Sequence, residues 1–160
     1  MVVASVAGMD IETREDQPYA AIKATVTLGT FPKIADRFPE VMQWLADREL
    51  PIAGAPFFRY TRVRGEEYEV EAGIPTIAEV PAAGEVFTAT LPGGQYAVEV
   101  HEGHPDGLIA VTERILADES LRFDRAGDGW GVRLETFFTD PEVEPDPAKW
   151  TTEVAIRLAD

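Results

Sequence analysis

The chain contains no cysteine, which removes disulfides, thiolate nucleophiles and thiolate metal ligands at once. Its only serines are Ser5, near the start, and Ser120, at the end of an expected helix, so a serine triad has little to be built from. Histidine is as scarce. "HEGH" at 101–104 has one residue fewer between its glutamate and second histidine than the zinc-protease motif requires, and no third ligand is indicated, so no metal site is expected. Basic residues are few: 14 Lys and Arg against 29 Asp and Glu give a net charge of −15. That field repels phosphate backbones and anionic headgroups while drawing in cations, so direct nucleic-acid binding is not expected. The one arginine cluster, "RYTRVR" at 59–64, is followed by Glu66, Glu67, Glu69 and Glu71 and reads as a solvated face of mixed charge. Long apolar runs are missing too. No run approaches the roughly 18 residues of a membrane span, and the opening "MVVASVAGM" has no basic start and leads directly into "DIETRED". No membrane association is expected, and the cytoplasm is the expected location.

What is there fits a chain of 160 residues, 45% hydrophobic, about the size of one domain with a proper core. Residues 1–9 read as an N-terminal tail and 10–160 as the domain. "KIADRFPEVMQWLADREL" sets Ile34, Phe38, Val41, Met42 and Leu45 on one helical stripe, with Pro39 placed to open the regular segment. A second helix follows Pro105, with Leu108, Val111, Ile115 and Leu116 buried. Trp44 adjoins the first stripe and reads as core. "QPYAAIKATV", "PFFRYTRV", "EEYEVEAGI", "EVFTATL", "GQYAVEVHE", "WGVRLETFF" and "TTEVAIRL" read as strands, and "GDGWG" at 127–131 as a tight hairpin rather than a phosphate loop.

The order is strand, helix, strands, and then the same again. "LADREL" and "LADESL" close the two helices, and a shift of 77 residues carries Tyr19 onto Tyr96, Phe58 onto Glu135 and Tyr60 onto Phe137. The expectation is an α+β fold: a pseudo-symmetric tandem repeat of two strand-helix-strand-strand units, halves about 10–80 and 85–160, with an antiparallel sheet and two main helices.

Alternation along "RLETFF" puts Val132, Leu134, Thr136 and Phe138 on one face, expected to lie under a helix together with Phe57. Arg133, Glu135 and Phe137 take the other, with Phe58 and Tyr60 from the first half. A merely solvated face would be polar. This one is aromatic, and Tyr68 and Tyr96 are expected to join it where the halves meet. A carboxylate among rings is desolvated, wants a counter-charge or a donor, and suits a flat cation that stacks on the rings.

At these residues the chain resembles the GyrI-like small-molecule-binding domains, which also serve as effector-binding domains of AraC-type and MerR-type regulators. The likeness runs over about residues 10 to 158 and rests on "LPGGQYAVEVHEGHPDGL" and on "ETFFTDPEVEP" followed by "WTTEVAIRL". It implies a cleft for hydrophobic, often cationic drugs, with Glu135 as central acceptor, Phe58, Tyr60, Tyr68, Tyr96 and Phe137 around it, Trp130 and Trp150 as further candidates, and a link to transcription regulation. No cofactor is implied. The family often carries tyrosine two residues after the glutamate; here it is Phe137, and a hydroxyl is lost. Some members are credited with hydrolysing cyclopropane-bearing genotoxins, which gives an alternative in which Glu135 is the general base and Tyr68 or Tyr96 the donor. A third reading is an acidic protein that acts on a partner such as gyrase by imitating nucleic acid.

Overall fold

The structure is a computed structural model, and it describes residues 2–6, 9–127 and 129–160, with the backbone alone for 2–6 and 126. In chain order its elements are β1 (Val2–Val6), β2 (Met9–Arg14), β3 (Gln17–Val26), α1 (Pro32–Ala35), α2 (Phe38–Asp47), β4 (Phe57–Arg64), β5 (Glu67–Pro75), β6 (Phe87–Leu91), β7 (Gly94–Glu102), α3 (Leu108–Leu116), β8 (Arg125–Ala126), β9 (Gly129–Trp130), β10 (Arg133–Phe137) and β11 (Thr151–Arg157).

The prolines set the helix starts. Pro39 is the second residue of α2, where its missing N–H is one the helix would not have bonded, and Pro32 opens the single turn of α1. The expected stripe therefore breaks at Asp36–Arg37, yet Ile34, Val41 and Leu45 still share one buried face. Burying each such side chain contributes roughly 1.5–3 kcal/mol. Helix α3 follows a 3-10 turn at Pro105–Gly107 and buries Leu108, Val111 and Ile115.

The strands form one antiparallel sheet in the order β1-β2-β7-β11-β10-β4-β5-β3-β6, and the β8–β9 hairpin is tied to β4 through Arg62 and Gly129. At the centre β10 meets β4 with Phe57 opposite Thr136, Phe58 opposite Glu135 and Arg59 opposite Leu134. On one side of this seam lie β4, β5, β3 and β6; on the other, β10, β11, β7 and β2.

The helices lie on the face carrying Phe58 and Glu135, contrary to the sequence expectation. Ile22, Phe58, Tyr60 and Ala72 pack with Ile34, Val41 and Leu45, and Met9, Val154 and Ile156 pack with the α3 stripe. Alternation fixes which residues share a face, but the path of the connections decides which face the helices cover. The other face is buried by curling of the sheet into a half-barrel, which brings Tyr19, Phe57 and Leu91 against Tyr96, Val98, Val132 and Leu134. Phe138, expected under a helix, is 53% exposed.

The expected N-terminal tail contains β1, paired with β2 from Val2 opposite Glu12 to Val6 opposite Met9. "MDIETR" carries too little apolar weight to read as a strand; its state is imposed by the ladder to β7.

Helix α2 ends in a turn that contradicts its sequence. Glu49 takes φ 55, with its N–H on the Ala46 carbonyl at 3.0 Å and the Leu50 N–H on the Leu45 carbonyl at 3.0 Å. This is the position that ordinarily selects glycine. Replacing Glu49 by Gly is expected to raise unfolding free energy by about 0.5–1 kcal/mol, because relief of the left-handed strain outweighs the added unfolded-state freedom, read by chemical denaturation.

Candidate functional site: a carboxylate under aromatic rings

Glu135 sits mid-strand in β10 with Phe58 on one side and Val154 on the other. Strand alternation brings Arg133 and Phe137 to its face, and Tyr60 lies two residues beyond Phe58 on β4. The Tyr60 hydroxyl donates to Glu135 Oε1 at 2.6 Å. Phe137 meets Phe58 edge-on at 5.0 Å between centroids, and Tyr68 meets Tyr60 at 6.0 Å.

The helical segment closes the group from above. Phe38, in the first turn of α2, stacks on Phe58 at 5.2 Å and meets Phe137 at 6.2 Å. Phe31 lies 5.7 Å from Phe58 and 5.6 Å from Tyr68. Six rings thus pack into one cluster, and of these Tyr60 is hydrogen-bonded to the half-buried Glu135 carboxylate. Arg133 forms no ion pair with it; its guanidinium lies 5.3 Å from the ring centroids of both Tyr60 and Trp130.

Desolvation by these neighbours pushes the Glu135 carboxyl above its ordinary range, opposed by the Tyr60 hydrogen bond and the charge of Arg133. Burial, and then the negative charge of Glu135, push the Tyr60 phenol well above its ordinary value, so it remains a donor. Burial lowers the Arg133 pKa from its ordinary value, but a guanidinium starts so high that it stays charged. The arrangement offers a hydrogen-bond acceptor of tunable charge, a fixed proton donor and aromatic faces on which a cation gains about 0.5–2 kcal/mol each when desolvated.

Of the residues expected at the site, Phe58, Tyr60, Tyr68 and Phe137 converge with Glu135. Trp130 meets the group through Arg133, and its buried indole Nε1 has no hydrogen-bond partner among the described residues. Trp150 stands apart, its indole N–H on the Glu144 carbonyl at 2.6 Å. Tyr96 lies on the opposite face, inside the half-barrel, its hydroxyl donating to the Pro92 carbonyl at 2.6 Å. The ladder from Glu135 through Val154 to Glu99 gives Glu99 the helix-covered face, so three residues away Tyr96 must point the other way. Phe31 and Phe38 were not expected at the site. Phe38 is indistinguishable from core on its helical stripe, and Phe31, next to Pro32, carries no periodic signal.

A second carboxylate is held on the half-barrel face. Tyr19 donates to Glu71 Oε1 at 2.5 Å, Arg59 Nη1 donates to the Tyr19 hydroxyl at 2.7 Å, and Arg59 Nη2 donates to the Gly131 carbonyl at 2.7 Å. Arg59 is therefore no solvated surface charge, as the "RYTRVR" reading had it, whereas Arg62 does lie against Glu69 at 3.5 Å on the surface. Two surface hollows, of about 540 Å³ on the half-barrel face and about 400 Å³ beside Arg37, are lined by residues other than Glu135. Among the described residues no helix is long and apolar enough to cross a membrane.

Residues 9–159 match the GyrI-like small molecule binding domain, and the chain belongs to that family. No curated protein sequence matches it significantly. Among solved structures it is similar to EcmrR in complex with DNA, at 13% identity and a TM-score of 0.79, covering 95% of this chain and 57% of that one. The isolated EcmrR C-terminal domain is matched over 97% of its length, and 95% of this chain, at 13% identity and a TM-score of 0.75. SAV2435 bound to tetraphenylphosphonium matches at 13% identity and a TM-score of 0.62, over 94% of this chain and 93% of that one. A hydrolase from Listeria innocua matches at 10% identity and a TM-score of 0.64, over 98% and 94%. The chain thus spans a little over half of the EcmrR chain in its DNA complex and nearly all of the others. These likenesses establish the fold.

The raised carboxyl of Glu135 sets the sign of a pH effect. The unfolded chain loses this proton at the ordinary glutamate value and the folded chain only above it, so ionisation costs stability, fully so once pH exceeds both. Glu135→Gln, which keeps an acceptor for Tyr60, is expected to be more stable than the parent at pH 7, with the advantage fading as pH falls from the raised folded value to the ordinary glutamate value and absent below it. Denaturation midpoints measured from pH 4 to 8 provide the check.

Proposed function

We propose that this domain binds hydrophobic aromatic cations at Glu135, with Phe31, Phe38, Phe58, Tyr60, Tyr68 and Phe137 as the walls. The observation that carries the reading is a carboxylate capped at 2.6 Å by the hydroxyl of Tyr60, itself one member of a six-ring cluster. Membership of a small-molecule-binding family and likeness to a protein bound to tetraphenylphosphonium support it. So does Arg133, an internal cation lying between one of these rings, Tyr60, and the ring of Trp130, which occupies the kind of seat a ligand would take. The rings pack against one another, and Phe31 and Phe38 sit on either side of the α1–α2 break, so a ligand gains entry by moving that segment.

The tandem-repeat reading belongs with this proposal. The central register is two-fold about the Phe58 and Glu135 pair: the 77-residue shift exchanges those two and turns the pair Arg59 and Leu134 into Thr136 and Phe57, which are themselves paired. On this view a duplicated strand supplies a ring from one copy and the acid from the other.

The test is a titration with tetraphenylphosphonium, a planar cationic dye and a neutral compound of the same rings. Glu135→Gln is expected to weaken the cations by about tenfold or more, consistent with loss of a desolvated charge partner, and to leave the neutral compound within about twofold. Cation affinity in the parent should rise with pH as Glu135 ionises, and the Gln variant should lose that dependence. Arg133→Met, which removes the competing cation, should tighten cation binding. Equal affinity of parent and Glu135→Gln for all three compounds would overturn the reading.

A hydrolase reading has one supporting observation of its own. The raised carboxyl of Glu135 beside the Tyr60 donor forms a base and acid pair for directing water at a strained electrophilic ring. It differs from the sequence expectation in the donor, because Tyr96 faces away and Tyr68 does not contact the carboxylate. Under it, Glu135→Gln abolishes turnover of a cyclopropane electrophile while leaving its binding largely intact, as mass spectrometry of the product would reveal.

A further inference from the structure

The half-barrel face holds a hollow of about 540 Å³ at its mouth, within the range that takes small organic ligands. It lies directly behind the Glu135 site. Leu134 and Thr136, which flank Glu135 in β10, line it, because one step along a strand changes face. Its apolar surface comes from Phe57, Leu91, Leu134 and the ring of Tyr96, and Ala53–Ala55 with Pro75 form one wall.

The lip opposite is chemically one-sided. Glu15, Asp16 and Glu153 bring three carboxylates against the single cation Arg14. Arg14 is already engaged: Nη2 donates to Glu12 at 2.8 Å and to Glu153 at 2.6 Å. Its guanidinium also lies 5.2 Å from the Tyr96 ring centroid, so that ring already serves as a seat for a cation. Gln17 spends its amide hydrogens on the Pro18 and Thr76 carbonyls, at 2.9 and 2.8 Å, which leaves it only an acceptor oxygen. Asp16 receives the Gly93 N–H at 2.6 Å and, as a carboxylate, keeps further acceptor capacity.

We propose that this mouth is a second ligand site, separate from Glu135, that takes a protonated amine carried on a one- or two-ring apolar body: rings on the floor, ammonium at the acidic lip. A carboxylate of the same shape is rejected, because it meets three like charges and a guanidinium already neutralised. The site goes beyond the function proposed for Glu135 and does not depend on it.

The experiment uses the full chain carrying Glu135→Gln, so that the charge of the front site is absent, with 1-naphthylmethylamine and 1-naphthaleneacetate as probes in amide NMR titrations. The amine is expected to shift the amides of Gln17, Ala55 and Tyr96, and the acid to leave them in place at the same concentration. Two further variants lie on exposed loop positions that the fold tolerates, as a thermal melt will verify. Glu15→Lys should weaken the amine about three- to tenfold, the size of reversing one exposed charge, and Ala53→Trp, which fills the wall, should abolish the shifts. Any of four results would overturn the proposal: no shifts with millimolar amine, shifts confined to Phe31, Phe38 and Tyr60, equal binding of the acid, or binding unchanged by both variants. Because Glu135 is absent throughout, failure here leaves the front-site reading to its own titration.

Discussion

A three-residue ladder at the middle of the sheet, Phe57 to Arg59 against Leu134 to Thr136, is the constraint on which the rest depends. A strand exposes alternate residues to opposite faces, and directly paired residues share a face. Pairing Phe58 with Glu135 therefore places the acid and the ring under the helices together, and puts Phe57, Arg59, Leu134 and Thr136 into the half-barrel. A slip of one residue would exchange these sets and bury the wrong chemistry on each side. Both candidate sites are consequences of this one register.

The acid on each face is handled by the same device. A carboxylate that loses water is destabilised unless something hydrogen-bonds it, and for half-buried Glu135 and buried Glu71 alike a buried tyrosine supplies the bond: Tyr60 to Glu135 and Tyr19 to Glu71. The two differ in their cation. Arg59 bonds the Tyr19 hydroxyl and the Gly131 carbonyl and so ties β4, β3 and the approach to β10 together. Arg133 rests on rings without reaching Glu135. On this comparison the Glu71 network is a fastening, and Glu135 is an acid left short of a counter-charge.

Much of this was legible in the residues. Strands β3 and β7 follow the runs read from "QPYAAIKATV" and "GQYAVEVHE", and Pro39 opens α2 as its ring geometry requires. Glu135 with Phe58, Tyr60 and Phe137 could be grouped because period-two spacing on two strands needs no knowledge of the packing, and Tyr68 followed from the strand next to them. The misplaced residues share a cause. Tyr96 was carried to the site by symmetry, but the 77-residue shift relates it to Tyr19, which also points into the half-barrel. Arg59 read as surface because its partners, Tyr19 and Gly131, are 40 and 72 residues away.

The sequence by itself determined the composition of each strand face, the helix starts, the excess of negative charge and the presence of one acid in an aromatic row, because these rest on local geometry and on counting. Only the tertiary structure decided which face the helices cover, that Phe31 and Phe38 pack on the rings of Phe58 and Phe137 beside Glu135, and that the turn after β2 meets the loop before β4 to form a hollow behind it. Those outcomes depend on how the sheet curls and on the route of the connections between its strands. They are properties of the whole chain, to which no single stretch of residues holds the answer.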